Sequence, residues 1–245
     1  MIQLNRAFYD RFAESFVTTR PGPLPGVERL LAHVPDESAL LDVGCGGGQL
    51  ALALDRLGRR VRYVGVDASA PLIEHARRAA SGLRHVAARF LLRDVTAPGW
   101  ADELPHRPFH VVAALALLHH IPGRARRIHL LREMAQCMRA EGIMLLSTWQ
   151  FLRSPRLRRR LQPWGAIGLR PEDVEPDDYL LDWRRDGYGL RYCALIDEDE
   201  LSRLAEAAGL RLVEAFHAGR DGLNLCAVLC RASPIVQYCN TNGGG

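Results

Sequence analysis

The chain has no lysine: all 32 of its basic residues are arginine. This excludes a Schiff-base lysine, a lysine general base and the phosphate-binding lysine of a Walker-type loop. Arginine's planar fork suits phosphate contacts, but a GC-rich genome produces the same bias, and composition leaves both open. Long apolar runs are missing as well. No stretch of about 18 uncharged apolar residues occurs, and Met1-Ile2-Gln3-Leu4-Asn5-Arg6 has no signal-peptide core. A soluble, cytoplasmic protein with no membrane contact is the expectation. The six cysteines (Cys45, Cys137, Cys193, Cys226, Cys230 and Cys239) contain no C-x-x-C pair. Buried thiols are therefore expected in place of disulfides or a metal site.

The chain is rich in glycine at one place. Leu40-Leu41-Asp42-Val43 is an apolar run ending close to an acid, and glycines follow at 44, 46, 47 and 48. Such a backbone turns sharply and admits a ligand against its N–H groups without a Cβ in the way. The dinucleotide fingerprint needs glycine at its first, third and sixth positions; counted from Gly44, the sixth is Gln49. Glycines fall instead at the first, third and fifth positions behind Asp42. That arrangement resembles motif I of class I S-adenosylmethionine (SAM)-dependent methyltransferases, which implies SAM as cofactor.

Strand-like and helix-like patterns then alternate. Strands are expected at 39–43, 61–66, 86–92, 109–115 and 143–148, with helices at 49–57, 70–80 and 124–139. This alternation implies an α/β, doubly wound, mostly parallel sheet. A helix at 197–208 has an acidic first turn and Gly209 as its stop. Strands at 210–217 and 223–231 follow, joined by so short a turn that they must be antiparallel. A seven-stranded sheet closing on an antiparallel hairpin again resembles the class I methyltransferases. With 48% hydrophobic residues in 245, one catalytic domain is expected over 1–233. It would carry a cofactor-covering segment at 1–37, a substrate-side insertion at 150–196 and a flexible tail at 234–245.

Asp67 ends the second expected strand, where a carboxylate accepts from both ribose hydroxyls or else caps the next helix, a role open equally to Ser69. By the same resemblance Asp94 or the Val95 backbone reaches the adenine amino group, unless Asp94 is a solvated loop acid, and Asp42 faces the methionine half of SAM. Gly44, Cys45, Gly46 and Gly48, with Ala68 and Leu115, complete the implied cofactor set. The fourth strand ends in Leu115-Ala116-Leu117-Leu118-His119-His120. Its end is apolar where many methyltransferases carry an Asp or Asn. Either histidine packs or caps the helix, or touches the acceptor and removes a proton.

A closer resemblance runs along the chain. Tyr9, Ala13, Phe16 and Thr19-Arg20 are similar to the opening of the eukaryotic tRNA wobble-uridine carboxymethyl methyltransferases. His119-His120 followed by Arg124, Arg126 and Arg127, then Thr148-Trp149, Pro163-Trp164, Arg191-Tyr192 and Asp221-Gly222-Leu223-Asn224, continue it in the same order. Cys193 and the missing hairpin tryptophan depart from it. The resemblance implies that Tyr9 and Arg20 fold over SAM, with Arg20 on its carboxylate, and that Arg191 and Tyr192 approach the acceptor with His119 and His120. Arg124, Arg126, Arg127, Arg153, Arg156 and 158–160 then form a phosphate footprint, or else a solvated face. A small activator protein is a conceivable partner. Methylation of a carboxymethyl group on tRNA is the first reading. A small metabolite as O- or C-acceptor is the second, and a SAM-binding regulator without chemistry the third. A shallow, arginine-rimmed cleft indicates tRNA, an enclosed apolar cavity a metabolite.

Overall fold

Six consecutive buried residues form β1 (Ser38–Val43), a pattern suited to a strand covered on both faces. The computed structural model describes residues 1–18 and 25–232. In it β1 lies inside a seven-stranded sheet, with parallel neighbours β2 (Val61–Asp67) and β4 (Phe109–Leu115). The chain leaves β1 toward β2 on one side and returns to β4 on the other. A crevice therefore opens at the carboxyl end of β1, the switch point where open α/β sheets bind ligands. Beyond β2 lies β3 (Val86–Leu92), and beyond β4 lies β5 (Met138–Trp149). The sheet closes with β9 (Leu210–Ala218) and β10 (Asn224–Arg231), an antiparallel pair in which β10 lies against β5.

Alternation along β1 divides the core. Leu41 and Val43 pack on one face with α5 (Arg124–Cys137) and α7 (Glu198–Ala207). Leu40 packs on the other with α2 (Val27–Leu31), α3 (Gln49–Arg56) and α4 (Ala70–Ala79). The expected helix at 124–139 stops earlier, at Cys137, and β5 is twelve residues long. Met138 is extended (ψ 148°) because it pairs with Phe109 and buries its side chain in the sheet core.

The insertion contains structure that the sequence reading did not foresee. After α6 (Pro155–Arg158), strands β6 (Leu161–Gln162), β7 (Asp178–Trp183) and β8 (Gly189–Ala194) form a three-stranded antiparallel sheet with β8 at its edge. Across this edge lies α1 (Ile2–Thr18), whose backbone departs from helical geometry at Phe12 (φ −108°, ψ 17°). A Cβ on Gly189 would crowd the Phe12 ring, so the close packing of α1 on β8 relies on a residue without one. The expected tail at 234–245 lies outside the described residues. Among the described residues no helix is long and apolar enough to cross a membrane.

Candidate active site

The loop between β1 and α3 hangs from β2. Gly44 and Cys45 donate their N–H groups to the Val66 carbonyl at 2.8 and 3.0 Å. Gly44 has φ +75°, and a Cβ there would meet Leu117 at 2.9 Å. Gly46 also has positive φ (+51°), but a Cβ there would meet no atom of the described residues within 4 Å. It faces a cavity of about 220 Å³ whose wall is built from this loop, the ends of β2 and β4, the turn after β3, and α1.

Three acids line this cavity, and their surroundings differ. Asp42 is 2% exposed; Tyr63 donates to its Oδ2 at 2.5 Å, while its Oδ1 has no partner among the described residues. Burial pushes its pKa up to about 7. Such an oxygen calls for a cation or donor from the cavity. Asp67 accepts from the N–H of Gly46 at Oδ2 and of Ser69 at Oδ1, both at 2.9 Å. These bonds lock its rotamer and leave each oxygen a further lone pair. Burial raises its pKa and the backbone donors oppose the shift. Ser69, not Asp67, occupies the N-cap of α4, and its own hydroxyl caps nothing. Asp94 accepts from the backbone and hydroxyl of Thr96 at 2.9 and 2.6 Å.

At the end of β4, Ala116 is left-handed (φ +57°), an unfavourable geometry for a residue with a Cβ. Its N–H is held by the carbonyl and hydroxyl of Ser147 at 3.0 and 2.9 Å. The turn brings Leu115, Ala116 and Leu117 onto the cavity wall, followed by His120. Nδ1 of His120 lies 3.0 Å from the Tyr192 carbonyl, and Nε2 lies 2.7 Å from the Tyr9 hydroxyl. The carbonyl only accepts, so Nδ1 carries the proton in the neutral ring and Nε2 accepts from Tyr9. Asn5 supports this group from α1. Its Nδ2 donates to the carbonyls of His120 and Tyr192, both at 3.1 Å, and its Oδ1 accepts from the Tyr192 N–H at 2.8 Å. On the open edge of β8 the amide thus takes the place of a neighbouring strand.

The structure brings Tyr9, Asp42, Gly44, Cys45, Gly46, Asp67, Ala68, Asp94, Val95, Leu115 and His120 together on one wall. Gly48 lies behind it, against Ala76 and Phe90. His119 is buried beside His120 and Trp149, and its Nδ1 accepts from the Trp149 N–H. Tyr192 was expected to approach the acceptor; it is fully buried instead, because its hydroxyl donates to Asp178 and accepts from Arg127. Arg191 is buried among Phe8, Trp149 and Trp183 and is not on the cavity wall. Arg20 lies outside the described residues. Arg127 leaves the expected phosphate footprint, being buried and paired with Glu175 and Asp178. Arg124 pairs with Glu200, and Arg160 with Asp182. Sequence reasoning missed Asn5 and Ala116: a lone Asn in a helical pattern and an apolar strand end carry no local signal.

A family model described as a methyltransferase domain matches residues 13–215. The tRNA (carboxymethyluridine(34)-5-O)-methyltransferase of Schizosaccharomyces pombe is 26% identical over 84% of this chain and 88% of its own. A ubiquinone biosynthesis O-methyltransferase of Chelativorans is 32% identical over 70% of this chain and 58% of its own. A chain of the solved complex between the Trm112 methyltransferase activator of Haloferax volcanii and a methyltransferase shares the fold. Its TM-score is 0.62 at 17% identity, over 93% of this chain and 97% of that one.

Proposed function

From the premise that the chain belongs to the methyltransferase-domain family and is a SAM-dependent methyltransferase, we propose that its acceptor is the carboxymethyl group of a tRNA wobble uridine. The cavity suits the cofactor. The unpartnered Oδ1 of Asp42 would take the ammonium of its methionine part, the fixed carboxylate of Asp67 the ribose hydroxyls, and the open face of Gly46 the close approach between them. SAM supplies an electrophilic methyl group on a sulfonium. A carboxylate acceptor is already ionised near neutral pH and needs no base. The protein's part is then alignment and exclusion of water, for which the apolar turn Leu115-Ala116-Leu117 and the closing helix α1 are suited.

The observation that carries the acceptor assignment is the cluster of exposed arginines on the cofactor edge of the sheet. Arg153, Arg156, Arg158 and Arg159 follow the carboxyl end of β5 and make no ion pair among the described residues. Arg153 lies beside Gly222 of the terminal hairpin, whose exposed Arg220 extends the patch. Such a rim suits a phosphate backbone. The likeness to the fission-yeast enzyme supports the same reading. A small activator protein would be its partner, by analogy with the Haloferax complex.

The test is incubation with labelled SAM and tRNA bearing 5-carboxymethyluridine, with and without an activator of that kind. Base-labile label on the tRNA is expected; its absence under both conditions sinks the assignment. A small-molecule acceptor is the second reading. It is favoured by the cover that α1 forms over the cavity and by the likeness to the ubiquinone enzyme.

A further inference from the structure

Six buried side-chain nitrogen and oxygen atoms have no hydrogen-bond partner among the described residues. Three of them belong to Arg127, Asp182 and Arg191, which are engaged through other atoms or by aromatic rings and are not on the cavity wall. The other three, Oδ1 of Asp42, Oε1 of Gln49 and Oγ of Ser69, belong to residues that line the cavity. Shutting such an atom away from water without a partner is costly, so a set of them around one cavity calls for a ligand that satisfies them.

Their chemistry sorts the three. The Ser69 hydroxyl both donates and accepts, and the Ser69 N–H is held by Asp67 at the end of β2, which puts it at the ribose end. Gln49 stands on the far side of the glycine loop. Gly48 turns left-handed (φ +81°) and its carbonyl accepts from the Leu52 N–H at 3.2 Å, so α3 begins at Gln49. Helix side chains lean toward the N-terminus, and that of Gln49 therefore reaches back over the loop that follows Asp42. The dinucleotide fingerprint has a glycine at this position; here a polar side chain takes its place at the cavity.

A carboxamide oxygen only accepts. SAM offers three kinds of donor, the adenine amino group, the ribose hydroxyls and the ammonium. In the proposed cofactor placement the first two fall to the ends of β3 and β2, at Asp94 and Asp67. The ammonium is left for Gln49, and its three N–H groups exceed what one oxygen of Asp42 can accept.

We propose that Gln49 is a cofactor-binding residue that holds the ammonium of the methionine half of SAM jointly with Asp42, each through its unpartnered oxygen. The methyl acceptor plays no part in this assignment, which stands or falls apart from the tRNA reading. The test is calorimetric titration of the full chain and of Gln49→Met, a substitution that keeps an unbranched side chain and removes the acceptor. Three ligands are compared: S-adenosylhomocysteine; 5′-deoxy-5′-(3-aminopropylthio)adenosine, which keeps the amine and lacks the carboxylate; and 5′-methylthioadenosine, which lacks both.

Gln49→Met should bind S-adenosylhomocysteine and the aminopropyl compound each about 10-fold more weakly than wild type, the loss of one hydrogen bond to a charged group. It should bind methylthioadenosine within about 2-fold. The ligand-free variant should melt no lower than wild type, because an orphaned acceptor has been removed, while the rise in Tm on adding S-adenosylhomocysteine shrinks. Unchanged affinity for S-adenosylhomocysteine overturns the assignment. So does a loss confined to S-adenosylhomocysteine, which turns the amide toward the carboxylate instead. An equal loss for all three ligands, or a sharp drop in Tm without ligand, makes Gln49 a residue of the loop's structure and overturns it as well.

Discussion

The hydroxyl of Tyr9 lies 2.7 Å from Nε2 of His120, across 111 residues of chain. The contact joins the helix over the cavity to the loop that follows the fourth strand, and it engages the ring nitrogen of His120 that accepts. Its consequence depends on the acceptor. With a carboxylate, kcat/KM for the acceptor at saturating SAM should be flat between about pH 7 and 9, and Tyr9→Phe should lower it by roughly 10-fold, the loss of one hydrogen bond. With a phenol or alcohol, the rate should climb through an inflection that His120→Gln erases. Rate profiles of the wild type and both variants decide between them.

On the proposed cofactor placement Asp42 should give a pH dependence to SAM binding. Burial raises its pKa to about 7, so the ammonium of SAM would meet a neutral acid at pH 6 and a carboxylate at pH 8. Calorimetric affinity should rise across that window and level off above it, and Asp42→Asn should flatten the curve. Stability of the ligand-free protein runs the other way. Between the unfolded value near 4 and the folded value near 7 the folded state holds more protons, so Asp42 lowers stability as pH rises. Melting curves of Asp42→Asn should lose that slope.

Asn5→Ala removes three hydrogen bonds to backbone groups and leaves the Tyr192 N–H without a partner on the open edge of β8. A loss of roughly 3 kcal/mol is expected, on the order of 8 °C in Tm for a chain of this size. Protection of α1 amides in hydrogen exchange should fall with it. An unchanged Tm would show that the amide does not hold the helix in place.

Gly189→Ala tests the seat of α1 from the other side. The added methyl would run into the Phe12 ring and lie 3.2 Å from Phe8. Overpacking of this kind costs about 1–3 kcal/mol. Because the displaced helix carries Tyr9, SAM affinity should fall about 10-fold while far-UV circular dichroism stays the same.

The sequence by itself determined the alternating sheet, the glycine turn and the acids at 42, 67 and 94. Each of these is a local pattern: an apolar strand, a turn needing positive φ, a carboxylate at a strand end. Parallel strands then carry such ends to one edge wherever the chain folds this way. Tertiary structure decided what long-range pairing creates. Asn5 meets Tyr192 across 187 residues. Arg127 and Arg191 look alike in sequence, yet one finds two carboxylates and the other three aromatic rings. Which cation is neutralised is set by the strands and helices packed around it, and nothing in the spacing of residues along the chain encodes that choice.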